Sequence, residues 1–121
     1  MSEHNHQVTV VQFFHLQYPA YKAMLMAYPS GAIIGGKNKF GLINKMKREG
    51  WKKGVPDLFI AVPNEEYHGL FIEMKDDKKS CKPSLEQVQY INELNSNGYC
   101  AQVCWGADDA IELIRQYMAG L

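Results

Sequence analysis

No run in this sequence approaches the roughly 18 consecutive apolar residues that a membrane span takes, so a membrane-embedded chain is not expected. The leading residues, Met1 to Gln7, are polar and carry no apolar signal core, which makes the cytoplasm the expected compartment. Cysteine is scarce. Cys81, Cys100 and Cys104 are odd in number and lack the paired spacing of zinc sites, so reduced thiols are expected rather than a disulfide framework. Net charge is missing too: 13 basic and 13 acidic residues cancel, and the total points to no polyanionic partner. Repeats, low-complexity tracts and linkers are absent, so the 121 residues are expected to form a single domain, 1–121. With 46% hydrophobic residues, such a chain can bury roughly two-thirds of its unfolded surface and needs no staples.

What is present is unevenly placed. Lys37, Lys39, Lys45, Lys47, Arg48, Lys52 and Lys53 crowd one segment against a single acid, Glu49. The acids cluster elsewhere, as Glu65-Glu66, Asp76-Asp77 and Asp108-Asp109. A basic segment beside an acidic site is what a phosphodiester substrate requires. Taken alone, the same lysines read equally well as the solvated face of a helix.

Periodicity predicts a helix over 3–17 with Val8, Val11, Phe14 and Leu16 on its apolar face. Tyr18-Pro19 breaks it, because the residue before proline avoids helical angles. A short helix is expected from about Ala20 to Tyr28, then a Pro29-Ser30-Gly31 turn and a short strand at Ala32–Ile34 ended by Gly35-Gly36. A third helix, Phe40 to Glu49, should turn Leu42, Ile43 and Met46 inward, with Gly50 at its C-terminal cap. Strands are expected at 57–62 and 69–75, joined so tightly that they form an antiparallel hairpin. A helix over 85–97 follows, with Ser84 as N-cap, then a strand over 99–105 and a helix over 107–118 with Ala110, Leu113, Ile114 and Tyr117 on one face. That order describes an α/β fold with a central mixed sheet flanked by helices.

The chemistry concentrates at Gly54-Val55-Pro56-Asp57 and Phe71-Ile72-Glu73-Met74-Lys75. Side chains alternate along a strand, so Phe71, Glu73 and Lys75 share one face while Leu70, Ile72 and Met74 take the other. The hairpin sets Asp57, at the start of one strand, against the end of its partner, close to Glu73 and Lys75. Two carboxylates at one point repel unless a cation lies between them. All-oxygen donors favour Mg²⁺ or Mn²⁺ over zinc. Such an ion can polarise a phosphoryl oxygen and acidify an attacking water, with Lys75 orienting the water or neutralising developing charge. The same residues also read as a salt-bridged strand end, with Lys75 paired to an acid and no reaction.

Gly50-x-x-x-Gly54-x-Pro56-Asp57, Gly69 to Lys75, Ser84-x-x-Gln87 and Gly98-Tyr99 together resemble the VRR-NUC domain, the virus-type replication and repair branch of the PD-(D/E)xK nucleases. The resemblance covers nearly the whole chain and implies a restriction-endonuclease-like architecture. It also implies that Asp57 and Glu73 bind the metal, helped by the backbone carbonyl of Met74, and that Lys75 assists the water. Gln87 matches the family's helical glutamine, and Glu3 matches its acid in the first helix. By itself Ser84-x-x-Gln87 reads as a capping box, and Glu3 as a solvated helix start. Metal-dependent cleavage of branched or structured DNA in replication or repair follows from the resemblance, as does a homodimer, with the clustered lysines and Arg48 holding DNA phosphates. The alternative is a nucleic-acid-binding module that keeps the fold without the chemistry.

Other patterns carry less. Gly31 to Asn38 nearly spells a phosphate-binding loop, but asparagine stands where that loop needs Ser or Thr. His4-Asn5-His6 lie adjacent on a helix and point in different directions. Trp51 and Tyr67 read equally as base-stacking or packing residues.

Overall fold

A computed structural model of the chain describes residues 1–30 and 36–121. The expected strand at Ala32–Ile34, and most of the glycine-rich loop before Asn38, lie outside the described residues. The elements run α1 (Glu3–Gln17), a 3-10 segment (Pro19–Met24), β1 (Leu25–Ala27), α2 (Lys39–Arg48), β2 (Leu58–Ile60), β3 (Leu70–Lys75), α3 (Leu85–Ser96), β4 (Cys100–Trp105) and α4 (Ala107–Met118). The strands form one mixed sheet in the order β1-β2-β3-β4. β1, β2 and β3 are antiparallel neighbours, and β3 pairs with β4 in parallel. The parallel pair needs a crossover, which α3 supplies.

One face of the sheet carries the core. Leu58, Ile60, Leu70, Ile72 and Met74 pack against Val10 and Phe14 of α1 and against Ala110, Ile114 and Tyr117 of α4. Burying an Ile or Phe side chain contributes about 1.5–3 kcal/mol, so this layer holds the fold. Tyr117 brings a polar atom into it, and its hydroxyl donates to the Val62 carbonyl at 2.6 Å. Burial also pushes that phenol's pKa up to about 12. The opposite face carries Phe59 stacked on Phe71, with ring centroids 4.2 Å apart, and Tyr99 edge-on to both. α3 packs on β4. All three cysteines are free thiols. Among the described residues no helix is long and apolar enough to cross a membrane.

Three expectations are corrected. The helix expected from Ala20 to Tyr28 is a 3-10 segment followed by strand β1, whose Leu25 and Ala27 pair with Ile60 and Leu58. Sheet pairing overrides the local helix preference of Ala23-Met24-Leu25-Met26. On α1 the buried residues are His6, Val10 and Phe14, spaced four apart, while Leu16 is 84% exposed. Finally, α2 buries no residue at all, and Leu42, expected inward, is exposed. Its Phe40, Ile43 and Lys47 instead line a cleft together with Asp57 and Glu73.

His6 is the unexpected core residue. Its Nδ1 accepts the Ala107 backbone N–H at 2.9 Å, so α1 caps the start of α4. Gly106, the N-cap of α4, has φ +84° and no side chain to do this itself.

Candidate metal centre and nucleic-acid groove

The hairpin register determines where the acids meet. Leu58 pairs with Ile72, so Asp57 stands one step on, opposite Glu73. The carboxylate of Asp57 accepts the Met74 N–H at 2.8 Å, which ties the start of β2 to the end of β3. On its other side the Asp57 carbonyl accepts the Tyr28 N–H at 2.9 Å, just past the end of β1. Asp57 is thus held between two neighbouring strands. The loop that delivers it passes close to α3. Gly54 has φ +93°, and a Cβ there would lie 2.8 Å from the Glu86 carbonyl carbon. Glycine is required at that position on both counts.

Glu3 joins the pair from the first turn of α1. Ser2 caps that helix by accepting the Asn5 N–H at 3.1 Å. Ligand oxygens of Glu3, Asp57 and Glu73 all lie within 4.8 Å of one another. Glu73 is only 2% exposed. Its Oε2 receives the Gln87 Nε2 at 3.2 Å and faces the Lys75 ammonium at 3.6 Å. Its Oε1 is buried and has no hydrogen-bond partner among the described residues.

Electrostatics follow from this crowding. Burial, and then the neighbouring Asp57 charge, raise the Glu73 pKa from 4.5 to about 9. Burial also raises that of Glu3, against the pull of Lys75 and with Asp57 and Asp76 adding to the rise. One lysine does not balance three carboxylates. The orphaned Glu73 Oε1 and the all-oxygen donor set fit a hard divalent cation. The Lys75–Glu73 contact expected of a plain salt-bridged strand end is present, but it leaves Oε1 unsatisfied and Glu3 unexplained.

Gln87 resolves a choice that its spacing left open. Its Oε1 accepts the Ser84 N–H at 2.8 Å while Ser84 Oγ accepts the Gln87 N–H, which completes the capping box. The other end of the same amide, Nε2, reaches Glu73. The cap orients the side chain, and the free donor meets the carboxylate.

A groove of about 540 Å³ opens from Asp57, Glu73 and Gln87 towards α2. Four of the seven basic residues singled out, Lys39, Lys47, Lys52 and Lys53, line it. Lys45 and Arg48 line a separate shallow pocket with Leu42, and Lys37 is exposed before the helix. Lys53 also lies 3.8 Å from Glu86, an exposed contact of little energetic weight. The loop between α2 and β2 is anchored to the end of β1: Trp51 Nε1 donates to the Pro29 carbonyl, and the Lys52 N–H donates to the Tyr28 hydroxyl, both at 2.9 Å. Trp51 lines the groove. Tyr67 belongs to the hairpin turn at the other end of β2 and β3, where it stacks near Tyr117. Phe40 and Ile43 also line the groove, and the sequence reading gave neither a functional role. Their spacing of three on a lysine-rich helix was the available signal.

The sequence model of the VRR-NUC domain matches residues 1–108. A solved structure described as a VRR_NUC domain protein is similar to this chain with a TM-score of 0.84 and 30% sequence identity, covering 99% of this chain and 90% of that one. No curated protein matches.

Proposed function

The chain belongs to the VRR-NUC family and has a nuclease-type fold, and on that premise we propose that it is a Mg²⁺- or Mn²⁺-dependent DNA endonuclease. The observation that carries the proposal is the meeting of Glu3, Asp57 and Glu73 within 4.8 Å, with Lys75 and Gln87 both on Glu73. Those three carboxylates would hold the cation, with the Met74 carbonyl as a further oxygen. When bound, the ion supplies positive charge beside the scissile phosphate and acidity for the attacking water.

The chain's own groups do the rest. Water attacks phosphorus, one phosphodiester P–O bond breaks, and the departing alkoxide leaves as a hydroxyl, taking up from solvent a proton that replaces the one the water gives up. The Lys75 ammonium orients the water and offsets the negative charge that develops on the phosphate. Gln87 fixes the Glu73 carboxylate from the capped start of α3. Lys39, Lys47, Lys52 and Lys53 hold phosphates along the groove, while Lys37, Lys45 and Arg48 add longer-range attraction. Affinity from such contacts is salt-dependent and largely independent of sequence.

Residues 1–121 act as one nuclease unit in this reading. The substrate is branched or structured DNA in replication or repair, met by a homodimer that offers two sites to two strands. The test is cleavage of labelled junction, flap and duplex DNA with Mg²⁺, Mn²⁺ or EDTA, beside Lys75→Ala. Cleavage that needs the metal and falls by about 10²-fold or more in Lys75→Ala supports the mechanism. Cleavage that survives EDTA, or is indifferent to Lys75→Ala, overturns it.

A further inference from the structure

We propose that the groove beside the carboxylates is a seat for an unpaired nucleobase, which stacks against Phe40 and Trp51 while the lysines hold its phosphates. The proposal rests on the nuclease reading and narrows its substrate to DNA that is single-stranded or splayed at the groove.

A surface that only tracks a phosphate backbone needs cations and hydrogen-bond donors. This one has four lysines, but it also has an apolar wall made by Phe40, Ile43 and Trp51. Phe40 is 81% exposed on a helix that buries nothing, so it contributes little to the core. Single exposed apolar residues are ordinary. Here Phe40 and Ile43 are three apart, so they share a helix face, and both line the same cavity as Trp51.

Trp51 is held in place. Its indole N–H goes to the Pro29 carbonyl, and its backbone N–H goes to Met46. A fixed indole loses little entropy on stacking, which makes it a better platform than a mobile side chain. Aromatic faces interleaved with lysines are the usual chemistry for holding single strands, because every base has a π-face and every phosphate a charge. The volume, about 540 Å³, falls in the range of sites that enclose a ligand. A base inside a duplex has both faces covered by its neighbours and cannot use this wall. Only an unstacked base can, and next to Asp57 and Glu73 it would bring its own phosphate to the metal site.

The test measures binding in EDTA, so it does not depend on cleavage. Full-length protein is titrated with a 2-aminopurine oligonucleotide as a single strand, at an unpaired junction position and inside a duplex. Stacking should quench the probe in the first two settings and not in the third. Phe40→Ala should weaken single-strand binding about tenfold, while duplex binding stays within about twofold. Phe40→Tyr, which keeps the ring, should bind as wild type. Equal losses on duplex and single strand, or no quenching, would overturn the proposal. If quenching and the Phe40→Ala loss are seen but no metal supports cleavage, the nuclease reading fails and the base seat stands. If cleavage is seen without them, the reverse holds.

Discussion

Replacing Glu73 by glutamine should stabilise the metal-free protein, and the size of the gain is set by pH. A carboxyl whose folded pKa is raised from 4.5 to about 9 holds a proton in the native state that the unfolded chain has released. Between those two values the folded state therefore binds more protons than the unfolded one, and stability falls as pH rises. Below the lower value Glu73 causes no loss; above the upper one the full loss is reached. Within the window the slope is about 1.4 kcal/mol per pH unit. From about pH 6 to about pH 8 the wild type should lose about 3 kcal/mol from this residue, or roughly 10 °C in Tm for a chain of this length. Glutamine mimics the protonated acid: its oxygen can accept from the Gln87 Nε2, and its amide can donate towards Asp57. Glu73→Gln should consequently show a much flatter dependence of Tm on pH and should melt well above the wild type at about pH 8 in EDTA. A divalent cation stabilises the charged form instead. Mn²⁺ should raise the wild-type Tm far more at about pH 8 than at about pH 6, and should do little for Glu73→Gln. Thermal melts of both proteins, with Mn²⁺ or EDTA, read all of this. Parallel pH profiles for the two proteins in EDTA would refute the reasoning, because Glu73 would then be charged at no cost.

Further predictions concern positioning and binding. Gly54→Ala forces a side chain to within 2.8 Å of the Glu86 backbone at a left-handed φ. It should cost about 1–2 kcal/mol in denaturant titrations, and cleavage should fall about 10²-fold because both Asp57 and the start of α3 shift. His6→Ala removes the acceptor for the Ala107 N–H together with a buried ring, so stability should drop by about 2–3 kcal/mol. A drop under about 0.5 kcal/mol would mean that water caps α4 equally well. The pair Lys47→Ala and Lys52→Ala should reduce the slope of log affinity against log salt by roughly 1.5. Lys45→Ala with Arg48→Ala, outside the groove, should change it less; equal effects would detach the groove from DNA binding.

Much of the site was legible because strand chemistry is periodic. The alternation of Phe71, Glu73 and Lys75 against Leu70, Ile72 and Met74 follows from a period of two, and the short Val62-to-Gly69 connection forces the hairpin that brings Asp57 opposite Glu73. Ser84 and Gln87 announce their capping box by spacing alone. Elements that depend on distant partners were not legible. β1 looks helical until β2 pairs with it. α2 has an amphipathic pattern, yet nothing in its own sequence says that its apolar residues line a groove instead of a core. His6 is polar by composition, yet it is buried where it accepts the Ala107 N–H at the start of α4.

Scarce cysteine without paired spacing and the lack of an apolar run of roughly 18 residues made a disulfide framework and a membrane span unexpected from the sequence alone, because those structures need particular residues in particular patterns. The pairing of Glu73 with Lys75 likewise follows from local geometry. Glu3 is different. Whether an acid in the first turn of α1 reaches two others some 50 or more residues away depends on how α1 crosses the sheet, which is set by Val10 and Phe14 packing under α4 and by His6 holding Ala107. Sequence determined which chemistry was available at the strand ends. Long-range packing alone decided that the third carboxylate, the capped glutamine and the lysine-lined groove meet there.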